Sequence, residues 1–274
     1  MYADLSLHSD ADLLRELNRK AEEVGTNPGI ILMLDVGDLR EGVDNINELV
    51  RLALIVENEL SSLNLKGVGT NLACLNGVLP SWENLSFLIE GAEVIEKEIG
   101  RKLDIISGGS SINMLMFPDG ENKMPSRVNH LRVGGFIANP LNMRLNRSVT
   151  FNGTREDTIE LTAEIIEIHE KASAPKNTSA RNWAGEIVNT VDKGRRKRAI
   201  IAIGGQDIGN YSMLMPIEDG VELVGGSSDH TIVDVTDSKR EWHWGDTMKF
   251  QLKYSAMLYA FTGNHVNVEY IYDK

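Results

Sequence analysis

Short apolar runs alternate with longer amphipathic segments over the first half of the chain. The runs predict buried strands, and the amphipathic segments repeat apolar positions at helical spacing. Strands are predicted at 4–7, 30–34, 65–69, 103–106 and 131–137, and helices at 9–24, 46–60, 82–99 and 111–116, with Ser9 or Asp10 as the first cap. This repeated order indicates an α/β fold with a parallel sheet wrapped by helices.

The pattern changes after residue 145, where short strand-like runs are separated by Gly, Asp and Asn turns. Strands are predicted at 148–152, 199–203, 221–224, 231–235, 248–252 and 266–271, and the one convincing helix at 158–172. We therefore predict two domains, residues 1–145 and residues 146–274, the second of them mostly β.

Charge and composition exclude several classes of protein. The formal net charge of −12 disfavours a nucleic-acid binder, and the basic run 193–198 is interpreted as a solvated turn before a strand. No apolar run approaches the roughly 20 residues of a membrane span. The first four residues lack the features of a secretory signal, and one cysteine fits a reducing compartment. We expect a cytoplasmic protein with a small-molecule partner.

Polar and glycine-rich segments lie at or just beyond the carboxyl ends of four consecutive predicted strands, at residues 35–40, 69–71, 107–110 and 132–135. In a (β/α)8 barrel the carboxyl ends of the strands form the active-site face. The four segments therefore predict a ligand site at one rim.

Two glycine turns at this rim suit a phosphate group. Ser110 and Ser111 follow two glycines and open a short predicted helix, and Arg132 precedes Gly134 and Gly135 on the next loop. Backbone amides and hydroxyls at such turns bind anions, and barrels often bind phosphate there. The alternative is an ordinary Gly-Ser turn with a serine cap.

Other polar residues near the rim favour simpler interpretations. Arg40 could bind a ligand oxygen, but its spacing favours a surface ion pair with Asp38 or Glu41. Cys74 has no histidine nearby and is interpreted as buried and inert. The six histidines show no metal-ligand spacing, so no metal site is predicted.

Taken in order, these segments resemble the alanine-racemase fold of pyridoxal-phosphate (PLP) enzymes, in the branch that contains ornithine racemase. Residues 35–42, DVGDLREG, resemble the DxGxxRxG of alanine racemases, and residues 69–73, GTNLA, occupy the place of their THFA segment. The resemblance covers nearly the whole chain. It implies part of a PLP-binding (β/α)8 barrel of the TIM type followed by a mostly β domain.

The resemblance also implies contacts with the cofactor. Arg40 corresponds to an arginine beside the phenolic oxygen and the substrate carboxylate, Asn71 to a histidine stacked on the pyridine ring, and Arg132 to an arginine facing the pyridine nitrogen. The implied phosphate contacts are Ser110, Ser111, Gly134, Gly135 and, in place of a tyrosine, His265.

In the second domain, residues 204–207 and 226–230 resemble substrate-site segments of the family. The resemblance makes Asp207 a substrate-site candidate, and it makes Asp229 and His230 substrate-pocket candidates that act across a homodimer interface. A capped turn between strands is the alternative for the last two.

Two departures from the family pattern bear on activity. The lysine that binds the cofactor lies on the family's first barrel strand, and no lysine here stands in a matching motif. We count five strands of eight and expect about 90 residues to be missing from an N-terminally truncated barrel. No tyrosine lies near residues 181–185, where alanine racemases have their opposite-face base.

We therefore expect a racemase of a free amino acid, basic such as ornithine, that uses PLP and proton transfer on both faces of the α-carbon. A racemase of alanine, serine or another amino acid, or a non-catalytic PLP-binding remnant, is the alternative. Because five strands leave two raw sheet edges, we also expect the chain alone to be inactive and marginally folded.

Overall fold

The computed structural model describes residues 3–117, 120–177, 181–183, 185, 187 and 190–272. Two segments discussed above lie partly outside the described residues. They are residues 1–4, of which Met1 and Tyr2 are not described, and residues 181–185, of which Ala184 is not described. The chain divides into a barrel unit, residues 1–137 with 143–154, and a β unit, residues 138–142 with 155–274. The predicted boundary after residue 145 falls inside a helix, Leu141–Arg147, and stays a prediction.

The barrel unit has a parallel sheet whose strands lie in chain order. Its elements are β1 (Leu5–His8), α1 (Ala11–Val24), β2 (Gly29–Met33), α2 (Ile46–Glu59), β3 (Asn64–Gly69), α3 (Trp82–Ile99), β4 (Ile105–Ser110), a 3-10 helix (Ser111–Met116), β5 (His130–Arg132) and α4 (Gly135–Ala138), after which α5 (Leu141–Arg147) follows. The predicted α/β class is confirmed.

Polar caps explain where the barrel helices begin. The side chain of Asp10 accepts a hydrogen bond from the Leu13 N–H at 2.8 Å, which confirms one of the two predicted caps of α1. The side chains of Asn45 and Ser81 cap α2 and α3 in the same way. Each cap satisfies a backbone N–H that has no partner within its helix.

The two faces of the barrel sheet carry different packing. On the helix side, Ile30, Leu32 and Leu34 join the core formed with α1, α2 and α3. On the other side, Gly69 leaves room for its neighbours, because an added Cβ would lie 3.1 Å from both Ile31 Cγ2 and Ser107 Cβ. This inner face leads to the rim where the polar segments lie.

The β unit is built around an antiparallel sheet. Its elements are β6 (Glu160–Ala172), β7 (Arg195–Ile201), α6 (Gly205–Ile208), a 3-10 helix (Tyr211–Met213), β8 (Leu214–Pro216), β9 (Glu222–Gly226), β10 (Thr231–Asp234), β11 (Thr247–Leu252) and α7 (Tyr254–Thr262). The strands lie in the order β8-β11-β6-β7-β10-β9. Trp242 and Phe250 are the largest fully buried side chains of its core. A mostly β second part is what the resemblance implied.

The helix predicted over 158–172 is wrong, because this segment forms strand β6. Leu161, Ala163 and Ile165 are buried, while the residues between them are exposed, which is the period of two of a strand. The many Glu, Ala and Leu residues favour a helix in isolation. Pairing with β11 and β7 on both sides overrides that preference.

Three further element predictions need correction. The strand predicted over 131–137 ends at Arg132, since the chain turns at Gly134 and Gly135 into α4. The predicted strands 148–152 and 266–271 are irregular segments. Helix α7 was not predicted, because its aromatic and apolar side chains show no clear helical period.

Two interpretations of single segments are also wrong. Cys74 is exposed, not buried. The basic run at 193–198 is only partly a turn, since β7 begins at Arg195, and Arg196, 14% exposed, pairs with Asp234 at 2.8 Å and with Asp237. Among the described residues, no helix is long and apolar enough to cross a membrane.

Candidate functional site

Seven of the predicted cofactor residues lie at the carboxyl edge of the barrel sheet. They are Arg40 after β2, Asn71 after β3, Ser110 and Ser111 at the end of β4, and Arg132, Gly134 and Gly135 at the end of β5. Parallel strands place their carboxyl ends at the same edge, so the sequence signals converge there.

Arg132 joins the ends of three strands. Its guanidinium donates hydrogen bonds to Ser107 Oγ on β4 at 2.6 Å, to the Thr70 carbonyl after β3 at 3.0 Å, and to Asn71 Oδ1 at 3.5 Å. Burial, together with the nearby cation of Arg40, lowers the pKa of Arg132 from its ordinary value, while Glu41 opposes the shift. An arginine still keeps its proton in a protein, so this rim holds a fixed positive charge.

Several polar atoms around Arg132 have no partner. Thr70 Oγ1 and Asn71 Nδ2 are buried without a hydrogen bond among the described residues. A buried polar group without a partner costs about 1–3 kcal/mol. These atoms therefore fit a polar ligand that would satisfy them.

The hydroxyl of Ser111 organises the turn after β5. Ser111 Oγ accepts hydrogen bonds from the N–H of Gly134 at 3.2 Å and of Phe136 at 3.1 Å. A hydroxyl has two acceptor sites and one proton, so its O–H remains able to donate to an anion. An added Cβ at Gly134 would meet no atom within 4 Å, so this turn borders open space.

Ser110 does not act as a helix cap. It precedes the 3-10 helix, but its side chain makes no capping hydrogen bond, and in the sheet register it lies opposite Arg132. The end of β4 is instead held by Asn113, which donates to the Gly108 carbonyl at 2.8 Å. The alternative of a serine cap is therefore wrong for Ser110.

Arg40 forms the surface ion pair that its spacing favoured. Its guanidinium contacts both carboxylate oxygens of Glu41, at 2.5 and 2.7 Å, and this pairing raises the pKa of Arg40. The pair is close enough to Arg132 for both charges to affect the pKa of that side chain. Arg40 therefore lies beside the rim with a cation whose present partner is a carboxylate.

Asp38 shapes the rim in a way that the sequence analysis missed. Its buried carboxylate accepts hydrogen bonds from the N–H groups of Cys74, Leu75, Asn76 and Val78, at 3.0–3.4 Å. Burial alone would raise the pKa of Asp38, but these bonds lower it below its ordinary value. Leu39 and Ala73, both at φ 57°, occupy the two loops that this carboxylate joins, so it holds backbone that non-glycine residues rarely adopt.

The two candidate segments of the β unit pack directly on each other. The N–H of Gly205 donates to the Ser227 carbonyl, and that of Gln206 to the Ser228 carbonyl, both at 2.9 Å. An added Cβ at Gly204 would lie 2.4 Å from the backbone of Asp229 and of His230. Gly204 is thus required for this close approach, and the structure brings together the three predicted substrate residues of this unit.

Their side chains differ in environment. Asp207 is buried, with one oxygen accepting from the Gly204 N–H at 3.4 Å and the other without a partner among the described residues. Asp229 is exposed and accepts from Ser228 Oγ at 2.9 Å. His230 is half-buried, and His265 is exposed in the irregular segment after α7. Trp183, half exposed, lies over Gly205, where a Cβ would meet its ring at 2.2 Å.

Comparison with known proteins decides the family. Residues 2–138 match the family model described as the N-terminal domain of alanine racemase. The chain belongs to the alanine racemase family. It is 37% identical to ornithine racemase of Acetoanaerobium sticklandii over 98% of this chain and 74% of that protein. It is 35% identical to lysine racemase of Thermotoga maritima, over 97% of this chain and 72% of that protein.

A solved structure supports the fold of this alanine racemase family member. The alanine racemase of Clostridium difficile 630 superposes with a TM-score of 0.57 at 17% identity, covering 90% of this chain. The chain spans 62% of the length of that structure. The predicted fold and the resemblance to the racemase branch are therefore confirmed.

The sequence analysis did not identify the roles of two side chains of the site. Asp38 was considered only as a surface partner of Arg40, and His130, which contacts Ser107 at 2.9 Å, was not considered. His130 lies two residues before Arg132 in a strand, so it shares that residue's face. This spacing is a signal that could have identified it.

Proposed function

We propose that the protein is a PLP-dependent racemase that acts on a free basic amino acid such as ornithine. The observation that carries this proposal is the similarity, over nearly the whole chain, to racemases named for two basic amino acids, ornithine and lysine. The unsatisfied polar atoms beside Arg132 support a ligand at the same rim.

The proposed cofactor residues are those at the carboxyl edge of the barrel sheet. Arg132 would face the pyridine nitrogen with Asn71 against the ring, and Arg40 would exchange Glu41 for the phenolic oxygen and the substrate carboxylate. When bound, PLP supplies an electron sink for the α-carbon. Because a guanidinium only donates hydrogen bonds, Arg132 would keep the pyridine nitrogen unprotonated and so moderate that sink, which suits a racemase.

The phosphate would lie at the two glycine turns. Ser111 keeps a free hydroxyl proton, and Ser110 has a hydroxyl that caps no helix. Gly134 and Gly135 would let the backbone approach closely, and His265 is the proposed replacement for a phosphate-binding tyrosine.

Proton transfer is proposed for the β unit. Asp207, Asp229 and His230 would line the substrate pocket of a second copy in a homodimer, as the family resemblance implies. Within the described part of the chain one buried oxygen of Asp207 has no partner, and Asp229 has an exposed carboxylate, so both can hold a proton or an ammonium group. The single cysteine of the chain and the free amino-acid substrate fit the proposed cytoplasmic location.

The test is racemisation by the full-length product of the natural gene. With PLP added, we expect bound-cofactor absorbance and loss of optical rotation with L-ornithine. Asp207→Ala and Asp229→Ala should each lower kcat about 100-fold or more and keep the cofactor. The exposed Asp219 supplies the control, Asp219→Ala, which should match the wild type. PLP binding without turnover of ornithine or lysine would overturn the proposed substrate, and PLP binding without turnover of alanine, serine or any other amino acid would identify a non-catalytic PLP-binding protein.

A further inference from the structure

A buried serine joins a histidine to the arginine of the rim. Ser107, with no exposed surface, accepts a hydrogen bond from Arg132 Nη1 at 2.6 Å, and its Oγ lies 2.9 Å from His130 Nδ1. Ser107 and His130 are direct neighbours in the β4–β5 register. The three side chains therefore form a short chain of hydrogen bonds on the inner face of the sheet.

Counting protons fixes the direction of these bonds. Arginine has only donors, so Ser107 Oγ accepts from Arg132 and has a single proton left to donate. Among the described residues, the one acceptor near this proton is His130 Nδ1. If Nδ1 carried a proton itself, the buried Ser107 hydroxyl would have no acceptor, at a cost of about 1–3 kcal/mol.

We propose that His130 is a positioning residue for Arg132: as a neutral imidazole with its proton on Nε2, it accepts the Ser107 hydroxyl and so orients the oxygen that holds the guanidinium. The hydrogen-bond network is inferred from contacts within this chain alone, whereas its role at the pyridine nitrogen rests on the proposed function. His130 does not contact the reacting atoms and acts through Ser107.

The surroundings of His130 keep it neutral. On β5 the charged neighbour is Arg132, and on β4 the facing group is the uncharged Ser107. Burial, and then the charge of Arg132, lower the pKa of His130 from its ordinary 6.5. At neutral pH the histidine therefore remains an acceptor, and protonation in acid would reverse the bond from Ser107.

The network can be tested without the cofactor. Nitrogen-detected NMR of the histidine side chains, assigned with His130→Asn, should find an unprotonated Nδ1 and a protonated Nε2 at pH 7, with titration below 6.5. The guanidinium Nη signals of Arg132 should be resolved by slow rotation in the wild type and averaged in Ser107→Ala. A protonated Nδ1, or titration at or above 6.5, would overturn the proposal.

A matched pair of variants separates positioning from general packing. Asparagine places Oδ1 where the histidine has Nδ1 and can accept from Ser107, so His130→Asn should keep the Arg132 signals resolved. His130→Ala should average them and weaken PLP binding about two- to tenfold, the value of one hydrogen bond. Exposed His169 gives the control His169→Ala.

The outcomes distinguish this proposal from the proposed function. If the wild-type protein binds no PLP, the proposed function fails, and the Arg132 signals still decide the network. If His130→Ala leaves both those signals and PLP affinity unchanged, the positioning role is wrong even in an active racemase.

Discussion

At the scale of single residues, Arg132 shows how hydrogen bonds within the protein fix the position of a charged group. Its guanidinium is bound by Ser107 on β4 and by Thr70 and Asn71 after β3, so its orientation does not depend on a ligand. A guanidinium fixed in advance needs no reorganisation when charge develops nearby. The neighbouring Arg40 is exposed and paired with half-buried Glu41, and it is the more adaptable cation.

Gly134 provides a residue-scale prediction about the phosphate. An added Cβ there meets no protein atom within 4 Å and its φ is outside the left-handed region, so Gly134→Ala should leave the free energy of unfolding within about 0.5–1 kcal/mol of the wild type. It should weaken PLP binding at least about tenfold, because the methyl group would occupy the phosphate's space. Absorbance titration and urea unfolding measure the two effects.

The control is Gly225→Ala in β9, which is equally open. It should leave PLP affinity unchanged. Wild-type affinity in Gly134→Ala would remove this turn from the proposed phosphate site.

At the scale of elements, β6 shows why local preference does not settle secondary structure. Its Glu, Ala and Leu residues suit a helix, yet burial alternates at Leu161, Ala163 and Ile165. A strand paired on both sides satisfies its backbone groups through β7 and β11. The sequence carries both the helix-forming composition and the apolar alternation of residues 161, 163 and 165, and only the pairing with β7 and β11 decides between them.

Two adjacent isoleucines in β6 give a direct test of this assignment. Ile165 is completely buried, while Ile166 is 45% exposed. Ile165→Ala should cost about 2–5 kcal/mol of unfolding free energy through a lost core contact and a cavity, and Ile166→Ala less than about 1 kcal/mol. Urea unfolding of both variants measures the difference, and equal losses would contradict the strand.

At the scale of the whole molecule, charge acts in two opposite ways as pH falls. The formal charge of −12 and a pI near 5.0 mean that mild acid relieves repulsion between carboxylates. Carboxylates that accept hydrogen bonds or ion pairs in the folded state have the opposite effect, because protonating them in acid lowers the free energy of unfolding. Glu96 is the clearest of these, since it accepts from Lys102 at 2.6 Å, Arg127 at 2.5 Å and the Leu103 N–H at 3.1 Å.

Acid should therefore remove the stabilisation that Glu96 provides. Burial opposes the change, but its partners lower the pKa of Glu96 from 4.5 to about 2. A lowered folded pKa means that the stabilisation, on the order of 3 kcal/mol, is complete above pH 4.5 and lost as pH falls toward 2. Urea unfolding at several pH values should show this loss in the wild type and not in Glu96→Gln.

Exposed Glu98 lies on the same helix. Glu98→Gln should keep the wild-type pH dependence while changing net charge equally. If it flattened the curve as Glu96→Gln does, the effect would come from overall charge.

Because periodicity, capping residues and strand ends are local properties, the sequence predicted strands β1–β5 and helices α1–α3 of the barrel unit, a cap at Ser9 or Asp10, and the rim positions of Arg132 and Ser111. It could not determine β6, exposed Cys74, the network of Ser107 and His130, or the carboxylate of Asp38 that holds residues 74–78. These depend on contacts between residues distant in the chain, where burial and pairing outweigh local preference. Tertiary structure alone decided them.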